Sequence, residues 1–178
     1  SFTKEGGIPL RTTVSEMGPL LLSRILNLSD VQSDILRIIF RIADEEGLLL
    51  LDLKDLRSML QYVSENSKEY EKSYGKLSTQ SLNAILRSVV ALEDRGGEEF
   101  FGEPAINVKD FFRLTTNSEG VISILDAKSV ASDPKIYSTF LLYLLSELYE
   151  NLPEVGDLEK PRMVFFFDEA HLLFQDTS

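Results

Sequence analysis

The sequence predicts an α/β fold, with parallel strands and a mainly helical insertion, and three observations carry that expectation. First, the run Met163-Val164-Phe165-Phe166-Phe167 is uninterruptedly apolar and leads straight into Asp168-Glu169. Such a run suits a strand buried on both faces, as in a parallel sheet. Second, Gly120 to Asp126 is another candidate strand, separated from the first by a helical pattern through about Leu152. A strand–helix–strand unit almost always makes a right-handed crossover between parallel strands. Third, between residues 15 and 97 the apolar residues recur at helical spacing, with no defensible strand. These features divide the chain into an extended lead-in at 1–14, a helical insertion at 15–97, and part of the strand-bearing core at 98–178.

Each element has a local reason. Residues 8–14 read as a short extended segment, with Pro9 favouring an edge or a strand start. Gly18-Pro19 opens a helix through about residue 27, using the tolerance of proline at the first helical position. Ser29-Asp30-Val31-Gln32 is a capping-box pattern, and the helix behind it carries Val31, Ile35, Ile38, Ile39 and Ile42 on one face before Gly47 stops it. Leu48 to Leu51 is a leucine run that periodicity does not assign. Asp52 is the N-cap of a helix bearing Leu53, Leu56, Met59, Leu60 and Val63. Ser64 to Lys76 is polar and reads as a loop with some helical character. Ser78 caps a helix with a stripe of Leu82, Ile85, Leu86, Val89 and Val90, which Gly96-Gly97 ends. Asp133-Pro134 supplies the cap and first-turn proline of the last helix, whose apolar face is Phe140, Leu141, Leu144, Leu145 and Leu148.

Composition narrows the partners. The chain has 178 residues, 43% hydrophobic and 26% charged, as in globular domains with a sizeable core. No apolar run approaches the roughly 20 residues that span a bilayer, and no secretory leader is visible. Zero cysteines exclude disulfides and thiolate zinc sites within this chain and fit a reducing, cytoplasmic setting. The net charge of −11, with no basic cluster, argues against a nucleic-acid grip by this segment. A start at Ser1 and a stop soon after the acidic pair read as a segment of a longer protein.

In open α/β sheets, ligands bind outside the carboxyl ends of the strands. A strand ending in Asp168-Glu169 therefore has the Walker B pattern of a P-loop NTPase. Asp168 is the candidate metal- and cofactor-binding acid for Mg²⁺ and ATP, and Glu169 is the candidate catalytic base toward water. The pattern is half of a nucleotide site. No stretch matches Gly-x-x-x-x-Gly-Lys-Ser/Thr, the loop whose amides and lysine cradle phosphates. The pair also fits a solvated turn after a strand. Asp126 ends the other strand and either lines the same crevice or bonds its own turn. His171 is the single histidine, which excludes a multi-histidine metal site. Arg37, Arg41, Arg57 and Arg87 fall on helices, where pairing with surface acids is the simplest role. Tyr62, Tyr70 and Tyr74 alternate with charges and read as amphipathic packing.

Longer segments carry a family resemblance. Pro9 to Pro19, Gly47 to Arg57, Phe100 to Ala105, and Leu152 to Leu158 leading into Phe165 to Phe174 all resemble the bacterial HerA-like ATPases, in the HerA/FtsK branch of P-loop NTPases. The resemblance covers essentially the whole chain. It implies that residues 98–178 belong to a RecA-like core ending in a Walker B strand, and that the phosphate-binding loop lies upstream. It further implies an ATP-hydrolysing motor or remodelling protein, a homo-oligomer, and a nucleic-acid track that the acidic charge here does not support. It assigns Asp168 to the metal and Glu169 to catalysis, with this chain alone inactive. The alternative is a non-catalytic helical module for interaction or oligomerisation, in which the acidic pair is incidental.

Overall fold

The computed structural model describes residues 7–127, 133–152, 156 and 159–168. It divides into two compact units, meeting in sequence between Ala105 and Ile106. Among the described residues, the first carries six helices joined by short non-helical segments. Helix α1 spans Val14–Ile25, α2 Asp30–Glu45, α3 Leu53–Glu65, α4 Ser67–Tyr74, α5 Thr79–Asp94 and the single turn α6 Gly97–Phe100. Helix α2 packs against α1, α3 and α5, and α5 packs against both α2 and α3, so these three helices form the centre of the unit.

Local chemistry sets where these helices begin. Ser29 Oγ accepts from the Gln32 amide at 3.4 Å while Gln32 Oε1 accepts from the Ser29 amide at 3.0 Å, the reciprocal box expected. Asp52 Oδ1 accepts from the amides of Lys54 and Asp55 at 2.8 and 3.0 Å. Asp55 Oδ2 accepts from the amides of Leu51 and Asp52. Helix α1 starts earlier than Gly18-Pro19, because Thr13 and Glu16 form a third capping box. Gly18, at φ 73° and ψ 165°, breaks this helix, and Pro19 restarts it. The leucine run resolves into extended backbone tied to α1: Ser15 Oγ accepts from the Leu50 amide at 2.9 Å, and the Ser15 amide donates to the Leu50 carbonyl at 2.9 Å. Leu50 is buried there, and Leu48 and Leu49 face solvent.

The stripe of α3 is buried as read, all five residues at 4% exposure or less. The stripes of α2 and α5 are rotated from the expected faces. In α2 the buried set is Ile35, Leu36, Ile39, Ile42 and Ala43, with Val31 at the exposed first turn. In α5 it is Leu82, Ile85, Val89 and Leu92, with Leu86 half-buried and Val90 exposed. Contact with several neighbours at once selects these faces, which a single-helix stripe does not specify.

The second unit holds a 3-10 turn, Val108–Phe112, and helix α7, Pro134–Asn151. Asp133 caps α7 through the amides of Lys135 and Ile136, both at 3.2 Å, with Pro134 in the first turn. The 3-10 turn packs against α7.

The expected α/β core with parallel strands is overturned. Among the described residues there is no sheet, only two isolated bridges: Thr12 with Phe101, parallel, and Leu114 with Gly120, antiparallel. The physical reason is visible at both candidate strands. Gly120 and Val121 close a tight local turn on Arg113–Leu114, with the Val121 amide on the Arg113 carbonyl at 3.3 Å. That turn engages only the first two residues of the candidate strand, and Ile122 and Ile124 beyond it stand 88% and 87% exposed, without the burial a parallel strand requires. Residues 163–167 have no ladder partner, and Val164 and Phe166 stand 60% and 93% exposed, far from the two-sided burial a parallel strand requires. No described helix is long and apolar enough to cross a membrane.

Candidate functional site

Asp168 lies in a turn at the end of the extended apolar run, and its side chain is exposed. The rings of Phe165 and Phe167 stack 15° from parallel with centroids 6.0 Å apart, the same-side placement that extended backbone gives residues two apart. Glu169 and His171 lie outside the described residues. Asp126 is exposed near the end of the segment 121–127, which belongs to no helix or strand. No group of three histidine, aspartate or glutamate side chains comes together among the described residues in a way that would hold a metal. Two surface grooves, of about 380 Å³ between α1 and α2 and about 320 Å³ between α3 and α5, contain neither Asp126 nor Asp168.

The helical arginines are mostly engaged. Arg37 pairs with Asp34 at 2.9 Å, Arg41 with Glu45 at 2.9 Å, and Arg57 with Glu93 at 3.1 Å, linking α3 to α5. Arg87 is exposed on α5. Glu93 is the most enclosed of the paired acids, and its Oε1 is buried without a hydrogen-bond partner.

Two arrangements escaped the sequence reading. Arg11 Nε and Nη1 donate to the carbonyls of Glu99 and Glu103 at 3.1 and 3.0 Å, pinning the Phe100 to Glu103 loop beside the Thr12–Phe101 bridge. Gly102 sits in that loop at φ 136°, where a side chain would be strained. No local signal in the sequence points to a contact of such separation. The other is a tyrosine–carboxylate cluster. The Tyr70 hydroxyl donates to Glu46, and the Tyr74 hydroxyl donates to Glu45, both at 2.5 Å. The Arg41 guanidinium lies 5.8 Å from the Tyr74 ring centre. Burial, then the bond to Glu46, pushes the Tyr70 hydroxyl well above its ordinary range. The bond to Glu45 raises Tyr74, and the bonds from Tyr74 and Arg41 hold Glu45 below the usual carboxylate range. The i, i+4 spacing of the two tyrosines announces a shared face, but nothing local names α2 as their partner.

Neither a curated protein nor a solved structure gives a match to this chain. The model of the family described as helicase HerA-like C-terminal matches residues 1–178, its full length. The chain therefore belongs to the HerA-like C-terminal family.

Proposed function

We propose that this chain is the part of an ATP-hydrolysing HerA-like motor or remodelling NTPase that contributes the acid pair Asp168-Glu169. The family match over residues 1–178, which include an apolar run leading directly into that pair, carries the reading. Bound Mg-ATP would supply the electrophilic phosphate and the cation that screens it. Asp168 is exposed and so open to a hydrated cation. Glu169 is assigned as the base that accepts a proton from the attacking water.

The described residues do not fit the nucleotide by themselves. Asp168 is a single carboxylate outside any three-ligand group, and the sequence has no glycine–lysine phosphate loop. The phosphates need amides and a lysine from elsewhere in the protein. A homo-oligomer belongs to the same proposal. So does a nucleic-acid track for the whole protein, but a net charge of −11 makes this chain a poor surface for a phosphate backbone.

The test uses calorimetry and turnover. The 178-residue chain should show no micromolar binding of Mg-ATP. In the protein that joins this chain to a phosphate loop, Glu169→Gln should keep nucleotide affinity and lose most hydrolysis, because glutamine keeps the size but cannot take the proton. Asp168→Ala should weaken the Mg²⁺-dependent part of binding. Near-normal turnover in Glu169→Gln would sink the assignment and favour the helical interaction module.

A further inference from the structure

Residues 64–76 contain no buried side chain, yet they run between two fully anchored positions, Val63 at 0% exposure and Leu77 at 3%. Helix α4 occupies the middle of this stretch. Its N-terminus has no side-chain cap, and it leaves through Gly75 at φ 79°. At eight residues it is far shorter than the roughly 12–15 that make an isolated helix even marginal in water. Something outside the helix holds it in place, and apolar burial does not.

The attachments on the page are polar and aromatic. Tyr70 and Tyr74 donate to Glu46 and Glu45, two of the three consecutive carboxylates (Asp44, Glu45 and Glu46) at the C-terminal end of α2. Arg41 bonds Glu45 at 2.9 Å and lies over the Tyr74 ring. Tyr62 of α3 meets the Tyr70 ring edge to face, centroids 6.3 Å apart. Opening this stretch sacrifices only part-exposed contacts, whereas opening α2, α3 or α5 exposes the buried centre of the unit.

We propose that residues 66–76 form a detachable strap, latched by Tyr70 and Tyr74 onto the end of α2, which opens and recloses while the α2–α3–α5 centre stays folded. Asn66 and Gly75 are its hinges. Release melts α4, since the helix cannot persist alone, and frees Glu45, Glu46 and Tyr62 from their contacts with it. The strap is thus a conformational device of the helical unit and is independent of the acid pair at 168–169.

Hydrogen exchange read by mass spectrometry on the 178-residue chain at neutral pH tests it. In the unmodified chain, the amides of residues 71–75 should exchange at least about ten times faster than those of 82–92 in α5, the contrast that separates local from global opening. Tyr70→Phe/Tyr74→Phe keeps both rings and removes only the latching hydroxyls. It should speed exchange at 71–75 by about three- to tenfold, the size expected of exposed hydrogen bonds to charged acceptors. Exchange in α2, α3 and α5 should stay unchanged. Protection of α4 equal to that of α5 in the unmodified chain would overturn the proposal. So would a double variant that leaves α4 unchanged or speeds all the helices alike.

Discussion

Truncating Ile39 to alanine tests whether the face assigned to α2 is the one that holds the helical unit together. Ile39 is 0% exposed on the helix that packs against α1, α3 and α5. Alanine removes three carbons, a transfer loss of about 2–2.5 kcal/mol at roughly 0.8 kcal/mol per buried methylene. The cavity left at a fully buried site adds to this, for a total of about 3–4 kcal/mol. Leu86 gives the contrast. It belongs to the sequence stripe of α5 but lies half-buried beside the α3–α5 groove, where water can fill the space left behind. Leu86→Ala should therefore cost about 1–1.5 kcal/mol. Leu49→Ala, at a position 74% exposed, should stay within about 0.5 kcal/mol. Urea unfolding followed by circular dichroism at 222 nm, with the slope held common, gives all three. A loss below about 1 kcal/mol for Ile39→Ala, or a larger loss for Leu86→Ala, would refute the packing described here.

Gly97→Ala should destabilise by about 1–3 kcal/mol in the same assay, because a Cβ there would lie 2.8 Å from Leu92 Cγ and from its carbonyl oxygen. Gly47→Ala, at φ 67° with open space around it, should cost only about 1–2 kcal/mol of backbone strain. Removing Arg57 leaves Glu93 enclosed without its cation, so Arg57→Met should cost about 1–2 kcal/mol after allowing for the exposure of Arg57. Adding Glu93→Leu should recover most of that loss, and failure to recover would show that the pair is not the cause. The strap should also report on pH through Glu45, Tyr70 and Tyr74, which sit beside Arg41, Glu46 and Tyr62. Tyr70 and Tyr74 are raised, so their contribution is complete below the ordinary tyrosine value of about 10 and is lost as pH climbs through the raised values. Glu45 is lowered, so its contribution is complete above the ordinary glutamate value of about 4.3 and is lost on acidification through the lowered value. Exchange at 71–75, corrected for intrinsic chemistry, should show greatest protection between those limits, and a pH-independent protection factor would count against the latches.

Much of the helical unit was legible because its information is local. Ser29 with Gln32, Asp52 and Ser78 mark three of its helix starts, and Asp133 marks that of α7 in the second unit, each within a few residues of the bonds it makes. The stripe of α3 was read correctly to the residue. The errors fall where neighbours decide. Val31 and Val90 complete a stripe on paper, yet the packing of α2 and α5 leaves both exposed and buries Leu36 and Leu92 instead. Helix α1 carries two start signals, the Thr13–Glu16 capping box and Gly18-Pro19, and the earlier one begins the helix. The Arg11 clamp and the tyrosine–carboxylate latches join residues far apart in sequence, and no period or spacing encodes such partners.

The strands failed for the same reason carried further. A helix closes its own backbone bonds, so a cap and a stripe suffice to specify it. A strand buried on both faces exists only through its neighbours, and an apolar run such as Val164 to Phe167 states the demand for them without supplying them. Gly120-Val121 satisfied its demand locally, by turning back on Arg113–Leu114. The candidate site inherits this dependence. Asp168 follows directly on one such run, so the direction of its carboxylate is set by whatever orders residues 163–167. The family match identifies the chain through features spread over its whole length. The chemistry proposed for Asp168 and Glu169 rests on that membership and on the acid pair itself.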